Sequence, residues 1–227
     1  MIPAPAIGGF FIISITTVVS VIVVFLIKQP SVLMQNIVVF CGSKEGYHEA
    51  YRETAYILGA TLAERGIGLV YGGGKVGLMG AVADGVLQNG GKVIGVIPDF
   101  LQTKEVAHEG LTEMIVTDSM HSRKVKMHEL SDGVIVLPGG WGTMDEMFEM
   151  LTWGQLGLHK KPIALLNIHG FYDSLKVLVN NMIQEGFLEE CTAEILMTSE
   201  SIEELLEMMH GFEAPSVEQV MDHKSDT

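Results

Sequence analysis

The run Pro138-Gly139-Gly140-Trp141-Gly142-Thr143-Met144-Asp145-Glu146 places three glycines and a hydroxyl at the mouth of a helical stretch, with two acids just inside it. Glycine lets backbone N–H groups approach an anion closely, and the start of a helix adds partial positive charge. A carboxylate beside such a cradle is placed to act on a bond next to a phosphate-bearing sugar. The plainer reading of Asp145 and Glu146 is that acids in a first helical turn favour its positive end. Two more strand ends run into small residues, Cys41-Gly42-Ser43 and Tyr71-Gly72-Gly73-Gly74-Lys75-Val76-Gly77-Leu78-Met79-Gly80. With Gly42, Ser43, Gly72, Gly73, Gly74 and Gly139 as phosphate-loop candidates, three such loops at one sheet edge imply a phosphate ligand.

The middle loop contains a literal GxGxxG at Gly72, Gly74 and Gly77. A dinucleotide site also needs an acid about 20 positions on, at the next strand end, to bond a ribose hydroxyl. That region reads Gly91-Lys92-Val93-Ile94, so an NAD site is disfavoured and glycines serving tight turns and helix packing are the plain alternative. His121 and His128 lie seven apart with no HExxH and no acidic third ligand, so no metal is expected. Cys41 has no paired histidine motif and reads as a small buried hydrophobe rather than a nucleophile.

The elements that must position these loops are those of an α/β fold. Ile37–Cys41, Ile67–Tyr71, Lys92–Ile97, Met114–Thr117, Val134–Leu137 and Ile163–Leu166 read as strands without polar alternation. Helical spacing over Ala50–Arg65, Leu78–Gln88, Ser119–Leu130, Thr143–Leu156, Phe171–Glu185 and Ser201–Met209 separates or follows them. Strands of that kind, alternating with helices, predict a Rossmann-like doubly wound parallel sheet in a single domain. In such sheets the ligand crevice lies beyond the C-terminal strand ends, where strand order reverses.

Composition narrows the partners. Fourteen Lys and Arg against 28 Asp and Glu give a formal charge of -14, against a nucleic-acid partner. Residues 185–227 hold twelve acids and one lysine, Lys224, so most of that charge sits in the C-terminal part and leaves a small anion acceptable elsewhere. Two cysteines make no disulfide framework and suggest a reducing compartment. The expected organisation is an apolar segment over 1–33, a Rossmann-like domain over 34–211 and an acidic tail over 212–227. Residues 1–27 carry no charge, and Ile7–Ile27 is a run of 21 residues long enough to span a bilayer as a helix. That run reads as a membrane anchor with the main domain cytoplasmic, or else as an upstream piece before a chain that starts at Met34.

From Pro138 to Glu146 the chain matches PGGxGTxxE, with Arg123-Lys124 about fifteen residues earlier within Met120-His121-Ser122-Arg123-Lys124. In this it resembles the Lonely Guy family, once labelled lysine decarboxylases. The likeness extends over roughly Ile37 to Met209, through Gly42-Ser43, Gly72-Gly73-Gly74, Gly77-Leu78-Met79-Gly80 and Leu151-Thr152-Trp153. The resemblance implies a homodimer that hydrolyses the N-glycosidic bond of cytokinin riboside 5'-monophosphates to free base and ribose 5-phosphate, with no metal or redox cofactor. It assigns catalysis to Arg123 and Glu146. It assigns substrate contacts to Glu105, Arg123, Lys124, Gly140, Trp141, Gly142, Thr143, Met144, Asp145, Glu146 and Thr152.

Those residue types suit that reaction: a carboxylate can stabilise an oxocarbenium-like state and orient the attacking water, and Arg123 offers a permanent charge with a planar fork of donors. Outside the family pattern, an Arg-Lys pair on a helix is usually solvated surface. Trp141 and Lys44 depart from residues common in the family, which leaves the base open. AMP or another nucleoside monophosphate is the alternative substrate, and a nucleotide-binding sensor without turnover is the non-catalytic alternative. Decarboxylation is disfavoured, since no lysine sits in a recognisable pyridoxal-phosphate context.

Overall fold

The computed structural model describes residues 34–101 and 108–215, all within one compact unit. The elements run β1 (Asn36–Phe40), α1 (Glu49–Glu64), β2 (Gly68–Tyr71), α2 (Gly77–Gln88), β3 (Val93–Pro98), β4 (Glu113–Thr117) and α3 (Met120–Glu129). They continue through β5 (Gly133–Val136), α4 (Trp141–Gln155), β6 (Ile163–Leu166), α5 (Asp173–Gln184), α6 (Glu190–Ala193), β7 (Leu196–Ser199) and α7 (Ile202–His210). The segment 1–33 expected as a membrane anchor or an upstream piece, Glu105 and the end of the acidic tail lie outside the described residues. Among those described, no helix is long and apolar enough to cross a membrane.

The seven strands form one all-parallel sheet in the order β4-β3-β2-β1-β5-β6-β7. This is the expected Rossmann-like α/β architecture. Strands β2, β5 and β6 are buried at every position, which is why they read as unbroken apolar runs. Alternate side chains leave the sheet on opposite faces: Ile37, Val39 and Leu69 pack toward Leu58, Leu62 and Val82, while Val38, Val70 and Val134 pack toward Met127, Met147 and Met150. From β1 the chain winds outward to β4, then returns to place β5 on the other side of β1. The reversal therefore falls between β1 and β5, and the loops Cys41–Ser43 and Leu137–Gly140 flank it.

Strand β7 was not expected. Leu196-Met197-Thr198-Ser199 is short, three of its four residues are only half-buried, and its hydroxyls do not mark a strand; it forms because β6 offers it a free edge, pairing Leu165 with Thr198. Helix α4 also begins two residues earlier than Thr143.

A basic cluster closes the far ends of α3 and α4. His159 Nε2 donates to Met150 O at 2.9 Å while its Nδ1 accepts from Lys161 N at 3.1 Å, an arrangement open only to a neutral ring. Lys161 Nζ donates to His128 O and lies 3.3 Å from His128 Nδ1, with Trp153 edge-on to the His128 ring. Burial first, then the Lys161 charge and the competing protonation of His159, push His128 down to about 4, against the smaller opposing effect of Glu129. A histidine whose folded pKa is depressed takes up its proton in the unfolded chain first. Stability is therefore fully present above the unfolded value of 6.5 and is lost as pH falls toward about 4. His159, shifted in the same direction by burial, adds to this. Thermal midpoints measured across this window should fall with pH, and His128→Gln should flatten the slope. An equally steep slope in the variant would place the acid sensitivity elsewhere.

Candidate active site

Arg123 is delivered by α3, whose start is fixed by a reciprocal cap: Ser119 Oγ accepts from Ser122 N and Ser122 Oγ accepts from Ser119 N, both at 3.1 Å. One turn into the helix, Arg123 is only 7% exposed, so the usual solvated fate of an Arg-Lys pair does not apply to it. Its Nε donates to Val96 O at the end of β3 at 3.0 Å, and its Nη1 stands 3.6 Å from Glu146 Oε1. Glu146 is 8% exposed, so the two charges face each other out of bulk water.

Glu146 comes from α4. Gly140 caps that helix in extended backbone at φ -99°, ψ -153°, with no side-chain cap, and Met144 N donates to Gly140 O at 3.1 Å. Helix geometry then leaves the N–H groups of Trp141, Gly142 and Thr143 without an acceptor inside the helix. Gly140 and Gly142 have nothing within 4 Å of where a Cβ would stand, so this backbone opens onto free space. Because α4 starts at Trp141, Asp145 and Glu146 lie in its second turn and not its first, which corrects the reading of both as acids at the positive helix end. That interaction fades beyond one turn.

The loops after β1 and β5 are tied together at the strand reversal. Gly42 N donates to Pro138 O at 3.0 Å, and Leu78 N at the start of α2 donates to Gly42 O at 3.0 Å. A Cβ on Gly139 would overlap the Thr143 hydroxyl and lie 2.9 Å from Gly42 N. Gly139→Ala must push the loops apart and should cost about 1–3 kcal/mol, read as a lower urea midpoint. An unchanged midpoint would mean that the junction yields freely. Beside it, Ser43, Lys44, Tyr51, Gly140 and Phe171 help line a cavity of about 330 Å³.

The other expected residues are placed differently from one another. Thr143 is buried at the cradle, Met144 is half-buried in the core, Asp145 is exposed and Trp141 is 92% exposed. Lys124 Nζ is held by Asp145 Oδ2 at 3.1 Å and Glu149 Oε2 at 3.0 Å. Burial disfavours the Lys124 charge, but the two carboxylates outweigh it and hold its pKa above the ordinary lysine value. Thr152 is exposed, its hydroxyl donating to Phe148 O at 2.8 Å; six positions past Glu146 it lies about 120° around α4, and the helix does not bring it to the Arg–Glu pair. Gly72, Gly73 and Gly74 are buried, and Gly72 lies against the Arg123 guanidinium.

Sequence reasoning did not single out Glu149, Val96 or Met120. Glu149 follows Asp145 by four residues, the spacing that puts two side chains on one helical face, and that was its available signal. Val96 contributes a carbonyl and Met120 a sulfur 3.9 Å from Arg123 Nη1, neither of which has a sequence signature. Cys41 is buried, and burial, then Glu146, pushes its thiol far up, away from nucleophile behaviour. Among the described residues no three His, Cys, Asp or Glu side chains gather as a metal site.

The family described as possible lysine decarboxylase matches residues 79–209. A cytokinin riboside 5'-monophosphate phosphoribohydrolase of Arabidopsis thaliana is 41% identical over 191 residues, covering 84% of this chain and 89% of its own. Another of that name, from Oryza sativa subsp. japonica, is 45% identical over 172 residues, covering 76% of this chain and 71% of its own. Among solved structures, the molybdenum cofactor binding protein from the phototrophic bacterium Rippkaea orientalis has a TM-score of 0.59 at 25% identity, covering 78% of this chain and 96% of its own.

Proposed function

Because the chain belongs to the Lonely Guy family, the one described as possible lysine decarboxylase, we propose that it hydrolyses the N-glycosidic bond of cytokinin riboside 5'-monophosphates, releasing free base and ribose 5-phosphate. The observation that carries this reading is the buried Arg123–Glu146 pair set just inside a helix whose N-terminus is open to an anion. Side chains lean back toward the start of their helix, so the Glu146 carboxylate reaches toward the cradle. A 5'-phosphate held on the N–H groups from Gly140 to Thr143 would bring its ribose to that carboxylate.

Breaking the ribosyl C–N bond leaves positive charge on the sugar. Glu146 stabilises it and draws a proton from the attacking water, that proton passing on to the base so that it leaves neutral, while the Arg123 fork, already anchored on Val96 O, faces the departing base or the phosphate. Lys124, Trp141, Met144, Asp145 and Glu105 complete the substrate contacts in this reading. Lys124 does not suit decarboxylase chemistry, because a Schiff-base lysine must lose its proton and two carboxylates hold this one charged. Exposed Phe148, Leu156 and Leu158, on and just after α4, support a second copy of the chain as partner. Both cysteines are free, which supports a cytoplasmic domain.

The test is a chromatographic assay of the full chain on isopentenyladenosine monophosphate, AMP, GMP, CMP and the unphosphorylated riboside. Base release from the prenylated monophosphate, well above AMP and absent from the riboside, is expected. A preference for AMP would keep the mechanism and change the substrate. Binding of the monophosphates with no release from any would replace the enzyme by a nucleotide sensor.

A further inference from the structure

We infer that Gly72 is a positioning residue that seats the Arg123 guanidinium, and not a phosphate ligand. Its backbone is not among those with positive φ, so no turn conformation calls for glycine there. Space does. A Cβ at position 72 would overlap Arg123 Nη2 and stand 3.1 Å from Met79 Sδ, so the absent side chain is replaced by the guanidinium on one side and a thioether on the other. The remaining edges of the same group are fixed by Val96 O on Nε and by Glu146 Oε1 facing Nη1. Gly72 thus supplies the floor of a slot whose walls come from β3 and α4. An anion approaching this face of Gly72 would first have to displace Arg123, which is why Gly72 serves the arginine.

The softest response to a methyl group at position 72 is a shift of the guanidinium, since the alternative is to move β2. Displacing a positioned group by about 1 Å costs about 10²-fold in rate. This inference rests on the hydrolase reading for its kinetic part only. In the full chain, Gly72→Ala should lower kcat by about 10²-fold with KM little changed and the fold intact by circular dichroism. In an Arg123→Lys background, which lacks Nη2, the same substitution should add almost no further loss. Equal losses in both backgrounds would assign Gly72 a general structural role and overturn the inference.

The activity-independent measurement is the Arg123 Nε–H signal in a proton–nitrogen NMR spectrum. It should be sharp and slowly exchanging in the parent protein and shifted and fast-exchanging in Gly72→Ala. An unmoved signal would overturn the inference whatever the enzyme hydrolyses, whereas a moved signal in a protein without turnover would sink the hydrolase reading alone. If Gly72→Ala fails to fold, recovery of the fold in the Gly72→Ala, Arg123→Lys double variant supports the slot, and failure in both counts against it.

Discussion

Glu146→Gln should lower kcat by about 10³-fold while leaving the affinity for ribose 5-phosphate within about threefold. The amide matches the carboxylate in size, which matters at a site only 8% exposed, so packing around Met147 and Met150 is preserved. What disappears is the negative charge that would face the oxocarbenium-like state and the base that would draw a proton from water. In the proposed reading the phosphate is held instead by the backbone N–H groups at the start of α4, which the substitution does not touch. Single-turnover kinetics with calorimetric binding of ribose 5-phosphate separates the two effects. Parallel losses in both would make Glu146 a binding residue and leave the chemistry to another group.

Arg123→Ala should lose turnover as completely and, in addition, lower the unfolding free energy by about 3 kcal/mol. The guanidinium is 7% exposed, donates to Val96 O and faces Glu146, so its removal deprives a buried carbonyl of its donor and a buried carboxylate of a cationic neighbour. Arg123→Lys divides these losses. A lysine ammonium restores a charge but cannot hold Val96 O and face Glu146 together from one planar fork, so stability should largely return while activity stays about 10²-fold down. Urea unfolding and kcat measured on both variants give the comparison. Wild-type turnover in Arg123→Lys would show that only the charge matters and would remove the geometric part of the argument.

Much of this was legible in the chain itself. The apolar runs of β1, β2, β5 and β6 announce buried parallel strands because every side chain in them but Asn36 is inside. The glycine loops after β1 and β5 mark the crevice because strand order reverses there, and the hallmark residues from Pro138 to Glu146 point to nucleotide chemistry. Strand β7 was illegible because an edge strand with half-buried hydroxyl residues is held by its neighbour more than by its own pattern.

The side-chain partnerships were also beyond the sequence. Sequence patterning is a local property, set by the periodicity of helices and strands, and it determined the α/β class, the loops that matter and the residue types available for chemistry. Tertiary structure alone decided that Arg123 is buried, that Val96 O and Gly72 hold it, that Lys124 is clasped by Asp145 and Glu149, and that Thr152 faces away from the pair. Each of these depends on how α3, α4, β2 and β3 meet at the sheet edge, where burial turns ordinary surface residue types into a fixed array of charges.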